Sequence, residues 1–311
     1  MSKKPGIKVF APATVANVAV GYDILGFALE GLGDEVIVRE GKEPGLVIKT
    51  IIKNKGLSKE ISKNTAGYAG QRLLKSLGLE KQPIEIDLIK NMAIGTGLGS
   101  SASSAVAGAY GINAYLDFPY SKKELLGFVT EAEQIADGSY HADNVGPCLL
   151  GGFILIRDNA SLDWTRIASP SGLRCVIIHP DIEVMTKDSR SILKNTISLN
   201  EHIKQSGNLA SFIAGMYKSD FDLIKRSLQD NIIEPQRAHL IPEFYTLKEM
   251  ALGHGALGFS ISGAGPSMFA LCTNSIMAEN IVEGANRIYK TASIKCTTMI
   301  SNINHEGAKK Y

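Results

Sequence analysis

The order of apolar and polar positions predicts a chain that opens as β-structure. Residues 7–11 are strand-like and end at Pro12, after which PATVANVAVGYD, rich in small and polar residues, reads as a loop. A second strand is expected over 35–39, where Val36 and Val38 share a face, and a third over 46–52, which is β-branched and apolar. Helical spacing then takes over in 64–77, with Ala66, Ala69, Leu73 and Leu77 on one stripe. Ile84, Ile86 and Leu88 alternate with Glu85, Asp87 and Ile89 as a half-buried strand that runs into the run GTGLGSS. Behind it, 102–116 reads as a helix made largely of Ala and Gly.

Further helices are expected over 122–136, 207–230 and 278–289, and strands over 151–156, 174–179, 258–262, 267–272 and 296–300. The polar stretch 158–172, containing Pro170, is the best domain boundary, dividing the chain into 1–165 and 166–311. Helices and strands mixed with hairpins point to an α+β fold rather than a fully parallel sheet.

Composition narrows the function classes. Lys plus Arg at 33 against Asp plus Glu at 31 leaves a net charge of +2, which argues for neither a nucleic-acid nor a membrane-surface partner. Cys148, Cys175, Cys272 and Cys296 form no zinc-type spacing and read as buried thiols in a reducing compartment. The most apolar run, 145–156, is too short and too glycine-rich to span a bilayer, and the first residues carry no apolar stretch behind their lysines. A soluble, cytoplasmic protein is expected.

The candidate chemistry centres on Gly95, Thr96, Gly97, Leu98, Gly99, Ser100 and Ser101, between a predicted strand and a predicted helix. Glycines there let backbone N–H groups approach an anion, and a helix start adds partial positive charge, so a phosphate is a natural guest. An ordinary turn with Ser100 or Ser101 as N-cap is the alternative. No GxxxxGK[ST] and no HRD or DFG set occurs, which excludes a P-loop and a protein kinase. A serine at the third glycine position also excludes a dinucleotide fingerprint.

KNMAIGTGLGSSASS resembles the second signature of the GHMP kinase superfamily, with Ala93 in place of the usual proline and Ser103 where alanine or cysteine is common. IKVFAPATVANVAVGYDILGFAL is similar to the first signature in its homoserine kinase form, with Asn17 and Asp23 as polar points. On their own, those two residues either make Asx-turns or grip an amino alcohol. GFSISGAGPSMFAL resembles the third signature, contributing Gly263 and Gly265, with Ala264 replacing a common serine. Three motifs in the expected order, from residue 7 to residue 271, cover most of the chain.

The resemblance implies the GHMP fold, an N-terminal domain like the second domain of ribosomal protein S5 followed by a ferredoxin-like domain. It further implies ATP as donor, with Asn64, the loop from Gly95 to Ser101, Ala102, Ser103, Gly263 and Gly265 around the nucleotide. GSYHADNVGPC resembles the homoserine kinase stretch HxDNVAP, and TKDSR and EPQRAHLIP contribute Thr186, Arg190 and Arg237. Either arginine alone could serve a surface salt bridge; by resemblance both hold a substrate carboxylate, which a planar guanidinium suits. L-homoserine is the implied small-molecule substrate, in a step toward threonine, with Asn17, Asp23, Asn144, Arg190 and Arg237 binding it. Asn144, Ser101, Glu133 and Thr186 are the implied catalytic residues, Ser101 and Glu133 are the implied Mg²⁺ ligands, and a homodimer is expected. No strong general base is evident, and His141 and Asp143 are either supports of the site or core polar residues. Another GHMP kinase, or a silent nucleotide or amino-acid sensor, is the alternative. A sensor should show a damaged loop, whereas Gly97, Gly99, Ser101 and Glu133 are intact.

Overall fold

The computed structural model describes residues 6–53, 56–138 and 140–311. The first half runs β1 (Ile7–Ala16), β2 (Leu25–Glu40), β3 (Leu46–Ile52), α1 (Thr65–Ser76), β4 (Ile84–Ile89), α2 (Ser100–Tyr115), α3 (Lys122–Asp137), α4 (Val145–Leu150), β5 (Phe153–Asp158) and β6 (Asp163–Ile167). The second runs β7 (Arg174–Pro180), α5 (Thr186–Ser191), α6 (Leu199–Lys218), α7 (Phe221–Ser227), α8 (Glu234–Arg237), α9 (Phe244–Gly253), β8 (Gly258–Ile261), β9 (Met268–Cys272), α10 (Ser275–Thr291), β10 (Cys296–Asn302) and β11 (Lys309–Lys310).

Strands β1 to β6 and β11 form one sheet, ordered β11-β1-β2-β4-β3, with β5 and β6 continuing from β2. Among the described residues only β3 and β4 pair in parallel there. The second sheet is antiparallel, ordered β10-β7-β9-β8. Taken with the helices between its strands, it has the βαββαβ succession of a ferredoxin-like unit. The α+β class and the ferredoxin-like succession in the second half are both present. Position 165, the expected end of the first domain, falls inside β6, which pairs with β5 in the first sheet, and β11 returns to that sheet from the far end of the chain.

Three apolar clusters hold these layers. Val9, Val36, Val38, Ile86 and Leu88 pack beneath α1 to α4. Val176, Ile178, Phe259 and Ala270 pack against α9 and α10. A third cluster fuses the halves: Phe27 lies 4.6 Å from Phe153 and 6.2 Å from Phe269, ring centre to ring centre. Helix α2 is rich in Ala and Gly because it runs close to its neighbours: a Cβ on Gly108 would lie 2.2 Å from the Ala66 carbonyl oxygen of α1.

Several boundaries differ from expectation for physical reasons. Pro12 does not end β1; it lies where the register between β1 and β2 shifts, so its missing N–H interrupts a ladder already broken. β2 begins ten residues before 35, at Leu25, because Leu25, Phe27, Ala28 and Leu29 are buried on both faces and carry no alternation. The helix expected over 207–230 is two helices. α6 starts at a capping box between Ser198 and Glu201, and it stops at Ser219, whose φ is 53°. Asp220 then caps α7. Cys148, Cys175 and Cys272 are buried, whereas Cys296 is only half-buried on β10.

Candidate active site

The glycine loop is fixed at both ends before it meets any ligand. Lys90, at the end of β4 and only 4% exposed, forms a buried ion pair with Asp34 of β2. The same ammonium donates to the Ser100 carbonyl (2.8 Å), the Ser100 hydroxyl (2.7 Å) and the Ser104 hydroxyl (3.0 Å) of α2. Asp34 in turn accepts the backbone N–H groups of Asn91 and Met92. One ion pair therefore sets where the strand ends and where the helix begins.

Between these ends Gly95, Gly97 and Gly99 have φ of 72°, 74° and 66°, a region that penalises any residue with a Cβ. The loop also touches two other segments of chain. Thr14 N–H donates to the Leu98 carbonyl (3.1 Å), Ser262 Oγ to the Gly97 carbonyl (2.7 Å) and Ser267 N–H to the Thr96 carbonyl (3.2 Å). These bonds bring the three signature segments to one place.

Neither serine is the N-cap of α2. Gly99 occupies that position and makes no side-chain cap. The Ser100 hydroxyl is taken by Lys90, and Ser101 Oγ donates to Glu133 Oε1 of α3 at 2.5 Å. No side chain caps the first N–H groups of this sixteen-residue helix, a kind of helix end to which anions bind in general. Ala102 is fully buried, and Ser103 spends its hydroxyl on the Ala11 carbonyl. Asn64 N-caps α1, accepting from Ala66 and Gly67 N–H, and donates to the Ser58 carbonyl.

Asn144 sits against the loop. Its Oδ1 accepts from Thr14 Oγ1 at 2.7 Å, and a Cβ on Gly99 would lie 2.2 Å from Thr14 Oγ1 and 2.8 Å from Asn144 Oδ1. Beyond it lies a cluster of charged and amide groups. Asn17, Val18 and Ala19 are all left-handed, with φ of 70°, 43° and 58°, an uncommon conformation for a β-branched residue such as Val18. Asn17 Nδ2 donates to the Gly263 carbonyl (3.0 Å), and its Oδ1 accepts from Asp23 N–H (3.0 Å).

Asp23 is held in a fork by Arg190, at 3.0 and 3.1 Å, with His141 Nε2 at 3.5 Å. Arg237, 3% exposed, donates to the Ser189 carbonyl (2.9 Å) and the Gly263 carbonyl (3.1 Å). Among the described residues no carboxylate pairs with it. Burial lowers the Arg237 pKa, and neighbouring Arg190 pushes the same way. Burial and the adjacent Asp23 raise the Tyr22 phenol.

Gly265 shares the Ser262–Pro266 turn with Gly263, and its N–H donates to the Ser262 carbonyl. Thr186 opens α5, four residues before Arg190; its side chain lies outside what is described, as does Ser139 of the HADN stretch. Asp143 is buried beside Asn144, and His141 Nδ1 is buried with no hydrogen-bond partner among the described residues. Sequence reasoning missed Thr14, Tyr22, Asp34 and Lys90 as parts of this site. For Asp34 and Lys90 a signal existed: each falls on the core-facing parity of its strand, with Val36 and Val38 or with Ile86 and Leu88.

The uncapped helix start, the hydroxyl and carboxylate pair and the adjoining charged cluster describe a phosphoryl-transfer enzyme with a small polar acceptor. In agreement, the chain matches the family models for the GHMP kinases N terminal domain over 64–152 and GHMP kinases C terminal over 212–291. This is the GHMP class, which uses ATP. A homoserine kinase of Chloroherpeton thalassium is 42% identical, the alignment covering 96% of this chain and 98% of that one. A homoserine kinase of Xanthomonas campestris pv. campestris is 38% identical over 97% and 93%. The crystal structure of homoserine kinase from Cytophaga hutchinsonii superposes with a TM-score of 0.96 at 47% identity, covering 100% and 99%. L. major mevalonate kinase, solved in complex with R-mevalonate, shares the fold at a TM-score of 0.70 and 17% identity over 96% and 97%. The chain belongs to the homoserine kinase family.

Proposed function

We propose that this chain transfers the γ-phosphoryl group of ATP to the side-chain hydroxyl of L-homoserine, giving ADP and O-phospho-L-homoserine on the way to threonine. The observation that carries the reading is the contact of Gly99 with Asn144 and Thr14, which sets the phosphate loop directly against the acceptor cluster. Backbone N–H groups from Gly95 to Ala102 cradle the phosphates, the Ser103 N–H being taken by the Gly99 carbonyl, with the Gly263 and Gly265 turn behind them. Asn64 shapes the nucleotide side through α1.

Asp23 faces the substrate ammonium while Arg190 and Arg237 take its carboxylate, and Asn17 fixes both halves through its bonds to Asp23 and Gly263. Asn144, its Oδ1 occupied by Thr14, orients the hydroxyl through its amide N–H groups. Thr186 stands at the mouth of α5. Ser101 Oγ and Glu133 Oε1 present two hard oxygens 2.5 Å apart, the donor type Mg²⁺ takes. Among the described residues no group of three or more His, Cys, Asp or Glu could hold a metal ion. When bound, that ion neutralises charge on the β- and γ-phosphates.

The same reading takes 1–165 as the nucleotide-binding part and 166–311 as the second domain, with β11 crossing back, and expects a cytoplasmic homodimer. Among the described residues no helix is long and apolar enough to cross a membrane. Release of ADP, measured with homoserine, serine, mevalonate and galactose as acceptors, tests the proposal. Turnover of homoserine no better than of the other three would reject it.

A further inference from the structure

Tyr22 lies where the two arginines of the acceptor cluster meet. Its hydroxyl accepts from Arg190 Nη1 at 3.1 Å, and its ring centre is 5.8 Å from the Arg190 guanidinium carbon and 5.3 Å from that of Arg237. Two like charges brought to one place repel; Asp23 opposes this in part at Arg237, and Tyr22 is hydrogen-bonded to Arg237 as well as to Arg190. An aromatic face offers a negative potential and a flat surface on which guanidinium groups pack.

Arg190 Nη1 divides its donation, 3.1 Å to the Tyr22 oxygen and 3.1 Å to Asp23 Oδ2. A zwitterionic substrate offers Arg190 a new carboxylate and Asp23 a new ammonium, so it competes with the Asp23 bond. The bond to Tyr22 does not compete with substrate and remains to restrain the guanidinium.

We propose that Tyr22 is a positioning residue for the recognition of an α-carboxylate: it holds the Arg190 and Arg237 guanidinium groups at a fixed spacing so that both meet one carboxylate. This rests on the homoserine-phosphorylating reading above. It assigns to Tyr22 the discrimination between an amino acid and an amino alcohol that lacks the carboxylate.

The test compares L-homoserine with 3-aminopropan-1-ol, the same chain without its carboxylate, in wild type, Tyr22→Phe and Tyr22→Leu. Tyr22→Leu is expected to raise the KM for homoserine about tenfold, the weight of a partly desolvated cation–π contact, and to leave the KM for ATP unmoved. Tyr22→Phe keeps the ring and loses only the hydroxyl, so about threefold is expected. In both, the preference for homoserine over the amine should narrow by the same factor, read from kcat/KM or, where the amine turns over too slowly, from its Ki against homoserine. A general loosening of the fold would weaken both acceptors alike and leave the preference intact. An unchanged preference in the variants overturns the role of Tyr22, and Tyr22→Phe decides alone should Tyr22→Leu not fold. A wild-type protein with no preference for homoserine overturns the acceptor assignment itself and this inference with it.

Discussion

The hydroxyl of Ser262 reaches across from the second sheet to the carbonyl of Gly97, 2.7 Å away, next to the Leu98 carbonyl that Thr14 N–H holds. The loop is thus a seam between the two sheets rather than an appendage of α2. Its shape depends on the halves being docked, and Phe27, Phe153 and Phe269 dock them.

Gly97→Ala tests that seam. An added Cβ would lie 2.5 Å from the Ser262 carbonyl and 2.7 Å from the Gly265 carbonyl, both backbone atoms, at a φ of 74°. The left-handed conformation alone costs an alanine about 1–2 kcal/mol, before the contacts are relieved. The KM for ATP should rise by at least about tenfold, with a lowered Tm. Ser262→Ala removes one hydrogen bond of about 1 kcal/mol and should raise it by only about fivefold. Wild-type ATP kinetics in Gly97→Ala would show that the loop does not grip the nucleotide.

Lys90→Met should be among the most destabilising single changes in the first domain. It leaves Asp34, fully buried, without its cation, and breaking such a pair costs about 3–5 kcal/mol. Ser100 and Ser104 lose a donor at the same moment. The midpoint of urea unfolding is the measurement, and a midpoint close to wild type would mean that the ion pair contributes nothing to holding the loop.

Asp34 and Lys90 could have been read from the parity of their strands, and other features mark the limit of what the chain discloses. Regular periodicity was legible: β3 occupies 46–52 as expected, and α1 fills 64–77 with Asn64 and Leu77 as its caps. The first half of β2 was not, because burial on both faces erases alternation. The start of α6 was written as S-x-x-E at Ser198 and Glu201 and went unread. In the site, the glycine loop and the two arginines announced themselves by type and motif. The partners of Thr14 and Ser262 lie 130 and 165 positions away, and nothing in a single sequence pairs residues so distant.

Ser101 and Glu133 should govern turnover rather than acceptor binding. Ser101→Ala removes an oxygen donor at the start of α2, and Glu133→Gln removes the charge opposite it. By comparison with other transition-state contacts, each is expected to lower kcat by about a hundredfold, roughly 3 kcal/mol, with the KM for homoserine within about twofold. Raising Mg²⁺ should recover part of the loss in Ser101→Ala. Wild-type kcat in either variant would remove that residue from the phosphoryl-transfer step.

Arg237→Lys keeps the charge and loses the fork. Arg237 uses Nε for the Ser189 carbonyl and Nη1 for the Gly263 carbonyl, and an ammonium cannot hold both and still face a carboxylate. The KM for homoserine should rise about tenfold or more while the KM for ATP stays near wild type. An unchanged homoserine KM would leave Arg190 as the sole carboxylate contact.

The acid limb of stability should carry the signature of His179. Its Nδ1 lies 3.0 Å from Ser267 Oγ, and Ser267 N–H holds the Thr96 carbonyl of the glycine loop. Burial lowers the His179 pKa below its ordinary value, with Asp181 opposing in part. The folded state therefore prefers the neutral ring, and the unfolded chain takes up the proton first as pH falls. The contribution is complete above the ordinary histidine value of about 6.5 and is lost as pH drops from there through the lowered folded-state pKa. His179→Gln removes the titrating ring, so its stability should vary less with pH than wild type across that window, measured as urea midpoints. Parallel curves for the two proteins would mean that another group sets the acid limb.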